Sequence, residues 1–351
     1  MSNGGSNSSQ QAATHLSIDG LETYLECPRR YEFAYVHELA GDAADDRVRE
    51  RVALCRQAIC AALGSAESEP DAIAAVALER LDSLWAEYDE RFHSLAQRRH
   101  ERAVLEATIR EYVETVGTAH AKQCGRLAGE TGGELIGPTI PLARSVGVSP
   151  PAGPTDGEPA LEIEAPVDYV YGDDDTIVGV RFVPTCRSLG LLRYRSSWTG
   201  DVSALFANHF DPARDVFEPG PVAALFETSV VLEGLRNLCD RLELDRRCRY
   251  VQIPLAERSS TSVNWVRGTV EAAIEPTELT DVYVDDITYG MTHEHRNETV
   301  DDRLESVVDR LASGAFDPTD RWERIRRNAC PDCPYTVGCE EYVAAEVEFD
   351  G

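Results

Sequence analysis

Four cysteines carry the densest chemistry in this chain. Three crowd its end in Cys330-Pro331-Asp332-Cys333-Pro334-Tyr335-Thr336-Val337-Gly338-Cys339, and a fourth, Cys27, stands in Cys27-Pro28-Arg29-Arg30-Tyr31 about three hundred residues earlier. Cys-x2-Cys places two sulfurs on one tight turn, and Cys-x5-Cys returns a third to the same side. Soft thiolates so spaced hold either an iron–sulfur cluster or zinc. The fourth ligand has to come from elsewhere, and Cys27 is the strongest offer. The remaining cysteines, Cys55, Cys60, Cys124, Cys186, Cys239 and Cys248, stand singly in apolar or mixed segments and read as buried, inert thiols. Other tempting groups read more simply. Asp173-Asp174-Asp175 is a solvated turn, and His293 and His295 belong to a surface loop, since no cysteine or second carboxylate pair accompanies them. No glycine-rich loop that would cradle a phosphate is present, which excludes a nucleotide-driven motor.

The charge balance is extreme. The chain has 34 Lys+Arg against 62 Asp+Glu, a net charge of −28, and only one of its cations, Lys122, is lysine. Acid-rich, lysine-poor surfaces look like those of salt-adapted, haloarchaeal-like organisms that keep molar salt inside the cell. There the Debye length falls to about 3 Å and like charges cease to repel. In dilute buffer such a charge argues against nucleic acid; in molar salt the counterion-release term is lost for any protein, so DNA stays open as a partner. No apolar run approaches the ~20 residues of a membrane span. The first residues are rich in Ser, Gly, Asn and Gln and have no apolar signal core. A cytoplasmic protein is expected, with its cysteines as thiols or metal ligands.

The elements that must position these groups follow from periodicity. Residues 1–15 read as a disordered tail and 16–130 as a helical region. In it Ser17 or Asp19 caps a first helix that Pro28 interrupts just after Cys27, and further helices run over 46–64 and 71–130. Between 131 and 160, twelve residues are Gly or Pro, which predicts a linker or insertion. The period then changes to two. Leu161 to Tyr171 alternates, an acidic turn follows, and Thr176 to Val183 returns, which together predict a β-hairpin. A helix over 221–240, strands at 248–256 and 262–274, and a helix over 298–313 complete a core over 161–320. The cysteine segment and an acidic tail occupy 321–351.

The pairing of Leu21-Glu-Thr-Tyr-Leu-Glu-Cys-Pro-Arg-Arg-Tyr-Glu-Phe33 with the terminal Cys-x2-Cys-Pro-Tyr-x3-Cys resembles the RecB-like branch of the PD-(D/E)XK nucleases. Within that branch it is most similar to AddB-type and CRISPR-associated exonucleases that carry a four-cysteine [4Fe–4S] cluster. The resemblance implies a restriction-endonuclease-like α/β fold, a mixed sheet flanked by helices with an N-terminal helical region and a C-terminal cysteine segment. It gives Cys27, Cys330, Cys333 and Cys339 the four cluster positions, stapling the two ends of the domain. Zinc on the same thiolates is the alternative. It further implies DNA as substrate or ligand, a role in repair or recombination, and a partner helicase of the UvrD/AddA-like type.

In such nucleases a first strand supplies an Asp, the returning strand an acid-x-Lys, and an earlier helix a His. The carboxylates hold Mg2+ or Mn2+, and the lysine orients the attacking water. Asp168 falls where the first Asp belongs. The returning strand offers Arg181-Phe182-Val183 or Phe182-Val183-Pro184, so neither register gives a carboxylate or a lysine, and Cys55 or Arg56 occupies the place of the His. The expectation is a pseudo-nuclease, a DNA-binding or scaffolding subunit. An active Mg2+- or Mn2+-dependent exonuclease or endonuclease would need Glu162, Glu164 or Glu227 to converge on Asp168, with Arg181 or Arg187 replacing the lysine. A zinc-stapled interaction module is a third reading. Arg29, Arg30, Arg187, Arg193 and Arg195 are the candidate phosphate contacts, against the simpler role of ion pairs with the abundant acids.

Overall fold

The computed structural model describes residues 15–41, 46–133, 135–148, 160–184, 202–256, 261–264, 269–284 and 297–346. Its centre is a six-stranded mixed sheet. Strand β1 (His15–Ser17) runs parallel to β3 (Ala160–Gly172), which pairs antiparallel with β2 (Ile136–Gly147) and β4 (Thr176–Val183). β4 lies parallel to β5 (Arg247–Pro254), and β8 (Thr277–Glu278) closes the sheet against β5. β3 is long enough to serve two partners in succession, β1 at Glu162–Glu164 and β4 at Tyr169–Gly172, while β2 pairs with it from Gly147 to Ile136. A separate hairpin joins β6 (Thr261–Asn264) to β7 (Thr269–Ala272).

Helices cover both faces. On one pack α1 (Ile18–Glu26), α7 (Val202–Phe210), α8 (Pro219–Leu242) and α10 (Glu298–Ala312), whose Leu21, Phe206, Val231, Leu235 and Leu304 meet Ile163, Val167 and Ile177 of the sheet. On the other face lie α3 (Asp46–Leu63), α4 (Pro70–Glu87), α5 (Leu95–Tyr112) and α6 (Thr118–Thr131). Their Ile59, Leu81 and Ile109 enclose Tyr169, Val180 and Phe182. A sheet covered on both faces explains the near-continuous apolar run of Ile177 to Val180 in β4.

The predicted helices and the hairpin stand close to where periodicity puts them, and Ser17, not Asp19, caps α1, its Oγ accepting from the Gly20 amide at 3.1 Å. The linker expected over 131–160 needs correction, because twelve of its residues form β2. Pro138 and Pro141 are tolerated there because β2 pairs only with β3 among the described residues, and an edge strand need not offer every N–H to the ladder. β2 is also anchored from outside the sheet. Arg144, buried, donates to Asp301 at 2.6 Å and to Ser229, the Ser229 hydroxyl donates to the same Asp301 oxygen at 2.7 Å, and Tyr283 of α9 (Thr280–Tyr283) adds a third donor to it at 2.9 Å.

The two ends of the chain meet. Cys27 ends α1, and Pro28 opens α2 (Pro28–Tyr31), where its missing N–H costs nothing. The Tyr24 hydroxyl donates to the Ala315 carbonyl at 2.8 Å, and Tyr335 donates to the Leu39 carbonyl at 2.9 Å. Arg29 pairs with Glu341 of α11 (Glu340–Glu346) at 2.5 Å. No helix among the described residues is long and apolar enough to cross a membrane.

Candidate functional site

Asp168 lies on the β3–β4 hairpin with its side chain fully buried. Each carboxylate oxygen already has a strong donor. Arg56 of α3 gives its Nε–H to Oδ1 at 2.6 Å, and the Phe182 amide of β4 gives its N–H to Oδ2 at 2.6 Å. Arg56 is held in turn by the Pro138 carbonyl of β2. Burial pushes the Asp168 carboxyl up to about 6, with Arg56, the Phe182 amide and Arg181 pulling it back. A cation therefore sits beside this aspartate, and it is a tethered guanidinium from the helix position where the sequence lacks histidine.

Beside this pair opens a cavity of about 540 Å³ between α1, α3, α8 and β4. Its floor carries a second ionic group. Glu227 of α8, buried, accepts from Arg181 at 2.5 Å, from the Tyr250 hydroxyl at 2.5 Å and from Gln252 at 3.0 Å, while Arg181 also reaches Asp19 at 3.0 Å. Glu22 of α1 faces the same space. Burial pushes its pKa up to about 7, and the nearby charges of Glu26, Glu227 and Asp19 add to the rise while Arg181 opposes it. The cavity is thus lined by Glu227 paired with Arg181, by Asp19 reaching the same arginine, by Glu218, and by Glu22, whose carboxyl burial holds well above its ordinary range. Phe182, Val183 and Pro184 line its wall on the β4 side.

Glu227 and Arg181 do come together in this cavity, but Glu162 and Glu164 do not join them. Those two are exposed on β3, with His15 at 3.6 and 3.8 Å. Arg29 and Arg30 are engaged by acids, Arg29 by Glu32 and Glu341 and Arg30 by Glu26 at 3.1 Å. Arg187, Arg193, Arg195, Cys186, His293 and His295 lie outside the described residues. Asp173 spends its side chain on the backbone, accepting from the Asp175 and Thr176 amides at 3.1 and 2.8 Å as a turn residue does. Reading by motif missed Asp19 and Glu22, although with Glu26 they form an acidic stripe at i, i+3 and i+7 on α1, opposite Leu21, Tyr24 and Leu25.

The four cysteines gather at the other end of α1. Cys27 and Cys330 share a small apolar cluster with Ile325 and Ala329, and Cys330 lies within electrostatic reach of Cys27, Cys333 and Cys339. As protonated thiols they are held high: burial, then the three neighbouring cysteines, pushes Cys330 up to about 12, and burial pushes Cys339 up to about 11. Among the described residues no three His, Cys, Asp or Glu side chains stand close enough together to hold a metal ion as they are placed. Thiols are soft donors, and any metal bound by these four would have to displace their protons.

These features define a class: a restriction-endonuclease-like α/β fold with its hairpin aspartate buried behind Arg56, which lines a polar cavity. The family model of the PD-(D/E)XK nuclease superfamily matches residues 15–180, a span that runs from β1 into β4 and includes Cys27, Arg56 and Asp168. No curated protein matches the chain.

Proposed function

We propose that this protein is a nuclease-fold, DNA-binding or scaffolding subunit of a repair or recombination system, in which hydrolysis of the phosphodiester has been lost. The observation that carries this reading is the occupied carboxylate of Asp168. With Arg56 on one oxygen and the Phe182 amide on the other, it has little left to offer a hard cation, which needs several oxygen donors. Phe182 and Pro184 supply none. The superfamily acts generally on DNA, which supports DNA as the partner, and a helicase would provide the motor that this chain lacks. Cys27, Cys330, Cys333 and Cys339 would hold a [4Fe–4S] cluster, or zinc in its place. When bound, such a centre supplies a rigid cross-link between chain ends that already touch. The acid excess and near absence of lysine support a cytoplasm rich in salt as the working environment.

The test is incubation of the purified protein with labelled single-stranded DNA and Mn2+ in molar KCl. Intact DNA with both wild type and Asp168→Ala is expected, together with retention of DNA on the protein. Degradation that Asp168→Ala abolishes would overturn the reading. A second reading, an active nuclease with displaced ligands, is favoured by the convergence of Glu227, Glu22 and Asp19 on one cavity. Degradation lost in Glu227→Gln but kept in Asp168→Ala would establish it.

A further inference from the structure

Two of the cysteines that stand singly in the sequence are brought together by the fold. Cys239 lies in the last turn of α8 and Cys248 near the start of β5, both buried, with their sulfurs 4.0 Å apart. The backbone is held on each side of the contact. Glu243 closes α8 in a left-handed conformation at φ 56°, and the Leu244 amide returns to the Cys239 carbonyl at 3.0 Å. The Arg247 amide donates to the Asp175 carbonyl at 2.9 Å, and Cys248 pairs with Ile177 in the ladder between β4 and β5. The gap that remains to the ~2.05 Å of a disulfide is about 2 Å, a distance that rotation of two side chains can cover.

The place of this contact gives it a consequence. Cys248, Tyr250 and Gln252 alternate along β5 and all three are buried, so they share one face of the strand. On that face the Tyr250 hydroxyl and the Gln252 amide both donate to Glu227 of α8. A bond between the sulfurs would therefore join the same helix and strand that together carry Glu227 and Gln252 into the cavity wall.

We propose that Cys239 and Cys248 are a redox pair that hydrogen peroxide converts to a disulfide, locking the end of α8 to β5. Peroxide gives one oxygen to the first sulfur, leaving a sulfenic acid, and its other oxygen departs as water. The second sulfur then attacks the first, the S–O bond breaks, and the hydroxyl leaves with the thiol proton as a second water. Two thiols thus supply two electrons, and one peroxide becomes two waters. A small dithiol reverses the bond by exchange. The oxidant has to be small, because Cys239 and Cys248 are only 4% and 2% exposed. The loop that the bond closes is short, and constraint of the unfolded chain raises the folding equilibrium constant about a hundredfold.

The experiment uses the full chain in molar KCl, reduced with a phosphine and then treated, still folded, with dilute hydrogen peroxide. Remaining thiols are alkylated after denaturation, and tryptic peptides are read by mass spectrometry. Arg241, Arg246 and Arg247 stand between the two cysteines, so the link shows as two peptides joined. The expected product joins Cys239 to Cys248. Urea unfolding should register the gain of about a hundredfold, and dithiothreitol should remove it. Cys248→Ala, compared with its own untreated form, should show no shift with peroxide. Both thiols alkylated after peroxide, sulfur oxidised past the sulfenic state without a link, or a link to a different cysteine overturns the pair. A link between Cys239 and Cys248 that leaves unfolding unchanged, or a gain that persists in Cys248→Ala, overturns the lock.

Discussion

The chemistry of the cavity reduces to which charges are paired. Asp168 and Glu227 each have a guanidinium, whereas Glu22 has only the distant influence of Arg181 and lies under the like charges of Glu26, Glu227 and Asp19. The consequence for stability has a definite sign. The folded-state pKa of Glu22, about 7, stands above its ordinary 4.5, so the folded protein holds this proton after the unfolded chain has released it. Unfolding therefore releases a proton between about pH 4.5 and 7, and stability falls as pH rises through that window, by about 3 kcal/mol in all. Glu22→Gln mimics the protonated form at every pH. It should match wild type below pH 4.5 and exceed it by about 3 kcal/mol at pH 8, measured by urea unfolding across pH; Asp168, raised to about 6, leaves a smaller slope of the same sign in both proteins. A variant whose advantage does not grow with pH would place Glu22 in water. Asp168 and Arg56 were legible in the sequence because a strand motif and a helix position mark them. Glu22 was not, because its role comes from burial against α8, which local pattern does not encode.

The elements show the same division. Periods of 3.6 and 2 mark α3 to α6, α8, α10 and the β3–β4 hairpin, since each has one face committed to a core. β2 escapes that reading because Gly137, Pro138 and Pro141 count as breakers when the sheet edge that tolerates them is unseen. What fixes β2 is contact at a distance in sequence. At Gly234 of α8 a Cβ would stand 2.7 Å from Leu142 Cβ and 2.9 Å from the Ala143 nitrogen, so helix and strand meet backbone to backbone. Two glycine substitutions separate packing from propensity. Gly125→Ala in α6, where a Cβ meets nothing within 4 Å, should gain about 0.5–1 kcal/mol from helix propensity alone. Gly234→Ala gains the same propensity but forces β2 away, a cost of about 1–3 kcal/mol that should leave it net destabilised. Thermal unfolding midpoints in molar KCl report both, and a stabilised Gly234→Ala would mean that β2 moves freely against α8.

At the scale of the whole molecule, the same acid excess that surrounds the cavity has to be contained. The ends are tied by Arg29 to Glu341, Tyr24 to Ala315 and Tyr335 to Leu39, contacts spanning about three hundred residues that close one long loop whether or not a metal joins them. Against that closure works a net charge of −28, with 62 acidic residues and 34 Lys+Arg to answer them. At about 1 M salt the screening length is ~3 Å and each surface acid interacts only with its immediate neighbours; at about 0.01 M it grows to ~30 Å and the whole surface repels itself. The long-range end contacts are the ones this repulsion loads most, because they join segments that nothing local holds together. Dialysis from about 1 M to 0.01 M KCl should therefore lower the unfolding midpoint steadily. Tyr335 and its neighbours should lose hydrogen-exchange protection before the sheet does, and an osmolyte such as sucrose should restore less of the loss than KCl because it carries no counterions. A midpoint indifferent to salt would separate the acidic composition from any requirement for a salt-rich cytoplasm, and would leave the end contacts strong enough to hold the fold against the full charge.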